Sequence, residues 1–80
     1  MKDLHCFVDE PEQCQDPVYD KVRLLIQSHE TGRKSRRTYL CCKYHFIRLK
    51  QNPGDFYTYD TNNHHRVDYE VLEVVEEGLL

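Results

Sequence analysis

The chain has 80 residues, 39% of them hydrophobic, and a formal net charge of -3. A chain of this length buries only about 60% of the surface that its unfolded form exposes, so a hydrophobic core alone is marginal and an additional crosslink or metal ion is expected. Six tyrosines and three phenylalanines, with many aliphatic residues, exclude a disordered chain.

Charge is segregated along the chain. Residues 31–54 carry seven bases and no acid, whereas residues 1–30 and residues 55–80 carry seven acids each. A binding partner would therefore meet separate acidic and basic surfaces, which the small net charge conceals.

The N-terminal residues contain no apolar run of signal-peptide length, and no stretch of the sequence is long and apolar enough to span a bilayer. We therefore expect a cytoplasmic protein without membrane contact. In a reducing compartment, four cysteines near a histidine favour a metal site, whereas an exported chain would favour a disulfide between Cys6 and Cys14.

In chain order, the pattern first predicts an extended segment over residues 3–8 and a proline-containing loop over residues 9–17. The alternation of apolar and polar residues in VYDKVRLLIQ, residues 18–27, predicts a strand. Polar residues around Gly32 predict a hairpin loop, after which residues 37–41 resume as a second strand.

At Cys42 the hydrophobic period changes from two residues to that of a helix. Cys42, His45, Phe46 and Leu49 fall on one helical face, and the sequence NPG at 52–54 ends the helix.

A second hairpin is predicted within residues 55–76, with its turn at TNNHH and an acidic tail after it. Alternating Val67, Tyr69 and Val71 indicate a strand. Residues 67–77 also satisfy helical spacing, but their β-branched content favours the strand.

The cysteines and one histidine have the composition of a structural zinc site, which takes four tetrahedral ligands, usually as two close pairs. Cys6 and Cys14 form one candidate pair, and a cysteine at position 41 or 42 with His45 forms the other. Cys42 is favoured because residues three apart at the start of a helix project together. Cys41, four residues before His45, is also geometrically allowed.

This order of cysteine pair, hairpin and Cys-x-x-His at a helix start resembles the treble-clef zinc finger family over residues 6–45, through HCFVDEPEQC, VYDKVRLLIQ and TYLCCKYH. The resemblance implies an α+β fold: a small zinc-stabilised treble-clef-like domain with an expanded knuckle, a β-hairpin and one helix, followed by a second β-hairpin. One domain would span residues 1–80, with the zinc-binding part in 6–51. Family knuckles usually separate their first two ligands by two residues, whereas Cys6 and Cys14 enclose seven, so the knuckle is expanded into a loop or His5 replaces one member.

No catalytic constellation is recognisable in the sequence. A Cys42–His45 nucleophile pair would lack an identifiable orienting group, and no glycine-rich phosphate loop is present. His64 and His65 follow the helix, unlike the order in treble-clef nucleases, and are interpreted as solvated turn residues. We therefore expect a non-enzymatic protein.

Two binding functions fit these features. The first is a protein-interaction module, such as a small accessory or inhibitory protein that occupies a macromolecular partner. The alternative is nucleic-acid binding through the basic hairpin tip 32–37 and the helix 42–51. Acids on both sides of the basic block disfavour a phosphate backbone, so a protein partner is preferred. The candidate partner-binding residues are Arg33, Lys34, Arg36, Arg37, Lys43, Tyr44 and Arg48.

Overall fold

The computed structural model describes residues 4–80 and consists mainly of antiparallel β-sheet. Its elements in chain order are β1 (Val18–Ser28), β2 (Lys34–Cys42), α1 (Lys43–Gln51), a 3-10 turn (Pro53–Asp55), β3 (Tyr57–Asn62) and β4 (His65–Glu76). Residue 3, the first of the predicted extended segment 3–8, lies outside the described residues, and residues 4–8 form no strand.

The four strands form one sheet in the order β2-β1-β4-β3, which curls into a half-barrel. Central strand β1 pairs with β2 on one side and with β4 on the other. Gly32 adopts a φ of 73° in the β1–β2 loop, which suits a residue without a Cβ atom. In the tight β3–β4 turn, Asn63 and His64 have φ values of 52° and 66°, the left-handed conformation that two-residue hairpin turns require.

The core lies on the inner face of the sheet. Val22, Leu24 and Ile26 of β1 are fully buried, together with Val71 of β4 and Leu49 of α1. Within the described residues, the buried hydrophobic positions are Cys6, Val22, Leu24, Ile26, Cys41, Cys42, Leu49 and Val71. Three of these eight are cysteines, so the aliphatic core is as small as the chain length predicts.

The predicted α+β arrangement, a treble-clef-like domain followed by a second hairpin, is wrong. Strands β1 and β4 are hydrogen-bonded neighbours, so the hairpin within residues 55–76 completes the same sheet as the hairpin within residues 6–51. The physical reason is burial. A knuckle, one hairpin and a helix would leave one edge of β1 and part of its apolar face open to water. The backbone of β4 pairs with that edge, and Val71 and Val74 cover the apolar face.

Helix α1 begins directly after β2 with Cys42 as its N-cap, and it ends at Gln51, with Asn52 as its C-cap ahead of Pro53. The predicted helix is therefore confirmed. Its inward side contributes Leu49 to the core, whereas Ile47 is exposed. Across residues 4–80, no helix has the length and apolar character needed to cross a membrane.

Side chains connect the two edge strands across the inner face. The Tyr39 hydroxyl of β2 donates a hydrogen bond of 3.2 Å to Thr58 Oγ1 of β3, and Arg37 Nη1 donates one of 2.7 Å to Asp60 Oδ2. The Phe7 ring packs beside this connection, with its centroid 5.4 Å from that of Tyr39. The N-terminal segment therefore occupies the opening between the edges of the curled sheet.

Candidate metal centre

Three cysteines and one histidine converge at one end of the sheet. The ligand atoms of Cys6, Cys14, Cys42 and His45 all lie within 4.8 Å of one another. These are the four ligands predicted from the sequence. They come from the N-terminal loop, the end of β2 and the first turn of α1, three segments that the fold brings together.

Backbone hydrogen bonds position the two N-terminal cysteines. Next to Cys6, the Phe7 amide donates a hydrogen bond of 2.7 Å to the Leu40 carbonyl of β2. The Cys14 amide donates one of 2.9 Å to the Val8 carbonyl, which closes the loop between the two cysteines. The residues between Cys6 and Cys14 therefore form a loop that brings the two cysteines close together.

The second pair is positioned by the start of α1. The His45 amide donates to Cys42 Sγ at 3.4 Å, so the sulfur caps the helix while it faces the cluster. The first turn of α1 therefore fixes the positions of both members of this pair.

Three of the six distances between the four ligand atoms are close to those of a tetrahedral zinc site. Cys14 Sγ and Cys42 Sγ are 3.8 Å apart, and His45 Nδ1 is 3.4 Å from Cys6 Sγ and 3.3 Å from Cys42 Sγ. Zinc–sulfur bonds of about 2.3 Å and zinc–nitrogen bonds of about 2.0 Å at tetrahedral angles separate two sulfurs by about 3.8 Å and sulfur from nitrogen by about 3.5 Å. A single imidazole nitrogen cannot accept well-aligned hydrogen bonds from both thiols at once, whereas a central cation satisfies all four atoms.

The electrostatics of the centre also favour a cation. Burial raises the pKa of the Cys6 thiol to about 12, although backbone amides oppose this shift, so a thiolate there is costly without positive charge nearby. Burial, with help from the charge of Arg48, lowers the pKa of His45 and keeps its imidazole neutral, the form that binds metal.

Burial is high but not complete at this centre. Cys6 and Cys42 have exposed fractions of 2% and 1%, whereas Cys14 and His45 are half-buried. A groove lined by Cys14, Asp16 and His45 opens beside the cluster and gives an ion a path of entry. The site is therefore close to the surface without being exposed.

The two alternative ligands lie outside the cluster. Cys41 is fully buried, and its thiol donates to the Asp20 carbonyl at 3.6 Å. Burial raises the pKa of Cys41 to about 11, which is typical of an inert core thiol. His5 is exposed and does not belong to the group of converging ligands. His64 lies in the turn between β3 and β4 as predicted, whereas His65 is the first residue of β4, and both are exposed.

The candidate partner-binding residues fall on two separate surfaces. Arg33, Lys34 and Arg36 are all exposed, but the hairpin tip predicted for residues 32–37 is wrong beyond residue 33, because β2 begins at Lys34. Arg37 instead points to the inner face, where it pairs with Asp60. The remaining three belong to α1, at the other end of a nine-residue strand that spans roughly 30 Å. Those three are Lys43, Tyr44 and Arg48.

One exposed apolar residue on α1 was missed. Ile47 is 46% exposed, and it lies one helical turn from Tyr44, which is 57% exposed. The signal was present in the sequence, because Ile47 falls opposite the face shared by His45, Phe46 and Leu49. Tyr44, Ile47 and Arg48 together form what we call the helix face.

Comparison of the chain with protein-family models, with curated proteins and with solved structures finds no match. Its function is therefore inferred from its own residues and their geometry.

Proposed function

We propose that this chain is a non-enzymatic protein-interaction module, stabilised by one zinc ion bound to Cys6, Cys14, Cys42 and His45. The convergence of these four ligand atoms within 4.8 Å supports the proposal most strongly. Thiolate and imidazole ligands in tetrahedral arrangement select zinc over hard cations such as magnesium and calcium.

The ion would serve the structure rather than a reaction. Four protein ligands complete a tetrahedral shell, so no position remains for water or substrate. Structural zinc contributes about 10 to 16 kcal/mol of apparent binding energy in small domains, whereas whole domains are stable by about 5 to 15 kcal/mol. With so small an aliphatic core, the fold of this chain would depend on the ion.

A protein partner is supported by the helix face. Tyr44 and Ile47 are exposed, and Arg48 donates a hydrogen bond of 3.2 Å to the Tyr44 hydroxyl, which holds both side chains in place. Tyrosine and arginine dominate the binding energy of many protein interfaces. Nucleic-acid binding is less well supported, because Arg37 and Lys50 already pair with acids of the same chain. The small size suits an accessory or inhibitory protein.

The metal proposal is tested on protein purified without added zinc. Metal analysis should give one zinc per chain, and a strong chelator should collapse the dispersed amide spectrum, which returns when zinc is added back. A chelated, metal-free sample that keeps its dispersed spectrum would contradict the structural role of the ion.

The interaction proposal is tested by crosslinking capture from a cell lysate with three proteins. The three baits are wild type, the helix-face variant Tyr44→Ala/Arg48→Ala, and a control variant, Thr61→Ala, at the exposed end of β3. A captured protein is a candidate partner if wild type and the control bind it and the helix-face variant does not. Nuclease treatment of the lysate should not change the capture of these candidate partners. Capture that survives the helix-face change but disappears with nuclease would favour nucleic-acid binding instead.

A further inference from the structure

The outer face of the sheet has a regular arrangement of charge in rows across the strands. Directly paired residues of antiparallel strands place their side chains on the same face. Gln27 of β1 pairs with Lys34 of β2 on one side and with Glu70 of β4 on the other. The next row reads Arg36, Leu25 and Glu73, and the third reads Thr38, Arg23 and Glu76.

These rows place bases on β2 and acids on β4, with β1 between them. We call Lys34 and Arg36 the basic stripe, and Glu70 and Glu73 the acidic stripe. Strands are spaced about 4.8 Å apart, so the two stripes are separated by about 10 Å, too far for direct ion pairs. Only in the third row are the charges on adjacent strands, and there Arg23 and Glu76 do pair.

The stripes are not neutralised by the described part of the chain. Within residues 4–80, neither base of the basic stripe has a carboxylate within 4 Å, and Glu73 has no cation within that distance. Glu70 has only the His29 imidazole, at 3.9 Å. All four stripe residues are exposed, whereas Leu25, which lies between the stripes, is half-buried.

We propose that this outer face binds a second copy of the same chain. A rotation of 180° about an axis along β1 lays β2 of one copy over β4 of the other and keeps each row in line. Lys34 then faces Glu70 of the second copy, and Arg36 faces Glu73 of the second copy. The symmetric contacts form at the same time, and the two Leu25 side chains meet on the axis.

The charges also exclude the other symmetric face-to-face arrangement. An axis across the strands would lay β2 on β2 and β4 on β4, which brings the basic stripes together and the acidic stripes together. Only the axis along β1 pairs opposite charges in both stripes. The arrangement of charge thus specifies both the occupant and its orientation.

The size of the face indicates a weak dimer. The molecule measures 31 × 28 × 21 Å, so one face offers on the order of 600 Å² per copy, at the lower end for specific interfaces. The outer face of a curled sheet is convex, and the long Lys, Arg and Glu side chains lie at its flanks, where they can span the widening gap. Because Leu25 supplies little apolar area, salt should weaken the dimer strongly.

The inference does not depend on the metal proposal, because neither stripe contains a metal ligand. The experiment uses protein as purified, in sedimentation equilibrium up to millimolar concentration at 50 mM and 500 mM salt. Wild type should form dimers at low salt, with a dissociation constant at least about tenfold higher at 500 mM salt, where screening is strong.

Two charge-reversal variants give the decisive comparison. Lys34→Glu/Arg36→Glu makes both stripes acidic, and Glu70→Lys/Glu73→Lys makes both basic, so each variant alone should be monomeric. Their equimolar mixture should form a dimer with one chain of each kind, identified by native mass spectrometry.

A control variant, Lys43→Glu/Lys50→Glu, changes the net charge as much as the first variant but alters only α1, and its self-association should match wild type. A wild-type protein that remains monomeric at low salt would overturn the proposal. The outer face would then be open to a partner of different sequence. A mixture of the two variants that fails to dimerise would overturn it as well.

Discussion

The backbone amide of Phe7 donates a hydrogen bond of 2.7 Å to the carbonyl of Leu40 on edge strand β2. This contact brings Cys6, the residue before Phe7, beside the end of β2, where Cys42 follows Leu40 by two positions. The same contact therefore serves the sheet edge and the metal centre.

Replacement of Phe7 by alanine should weaken both features. The ring packs against Tyr39 at 5.4 Å and against Phe56 at 6.0 Å, and its half-buried position suggests a loss of about 2 to 3 kcal/mol in the free energy of unfolding. Denaturant unfolding of the zinc-loaded protein measures the loss. Tyr44→Ala, which removes a ring that is 57% exposed, should cost far less. Equal losses for the two variants would show that Phe7 does not hold the N-terminal segment.

The neighbouring cysteines should respond differently to substitution. Cys42→Ala removes a candidate ligand and should abolish stoichiometric zinc binding. Cys41→Ala should keep one zinc per chain and lose only about 1 kcal/mol of stability, the typical cost of a point mutation, because it removes a single sulfur atom. Metal analysis with thermal unfolding measures both effects. Loss of zinc from the Cys41 variant, with zinc kept by the Cys42 variant, would reverse the assignment.

Zinc affinity should fall as the pH falls. Without a cation the Cys6 thiol, with its pKa raised to about 12 by burial, holds its proton at neutral pH and must release it to bind the ion. Each proton released makes the apparent affinity rise about tenfold per pH unit. Competition with a chromophoric chelator between pH 6.5 and pH 8 measures the slope, and an affinity that is independent of pH would rule out thiolate ligands.

Random duplex DNA should bind more weakly than micromolar at physiological salt. Arg37, Arg48 and Lys50 lie within 4 Å of acids of the same chain, so three of the seven bases in residues 31–54 are already compensated. The measurement is fluorescence anisotropy at about 0.15 M salt, where screening acts beyond about 8 Å. Tight binding that disappears on reversal of Arg33, Lys34 and Arg36 would show that these bases at the start of β2 contact phosphates.

Most of the individual strands and the helix could be predicted from the sequence. The strand predicted for residues 18–27 corresponds to β1 (Val18–Ser28), and the helix and the second hairpin also lie where predicted. The strand interpretation of residues 67–77 is confirmed for 67–76 by β4. Each of these elements carries its own hydrophobic period, which is a local property of the sequence.

The pairing of β1 with β4 could not be predicted from the sequence, and the residues of β4 show why. Ile26 pairs with Val71 and Leu24 pairs with Val74, so three residues of β1 lie opposite four residues of β4 at a bulge. The bulge spaces the inward valines three apart, which imitates a helix and hides the match to β1. Periodicity also carries no information on which strands become neighbours.

The candidate metal centre, too, was only partly predictable from the sequence. Spacing alone left Cys41 and Cys42 as alternatives, because both can reach His45 from the start of a helix. The choice depends on the sheet, in which Cys41 pairs with Asp20 and is fully buried in the core. Cys42, one position later, caps the helix and faces the cluster instead.

The four candidate ligands lie within residues 6–45, whereas β4, the second neighbour of β1, begins only at His65. On a ribosome, the ligands emerge before the strand that completes the sheet. A zinc ion captured at that stage would join the N-terminal loop, β2 and α1 while one edge of β1 still lacks its partner, and the second hairpin would then dock on a segment that is already ordered. Metal supply would thus set the order of assembly, because a chain that emerges without zinc must form its long-range β1–β4 pairing before its N-terminal half is held together.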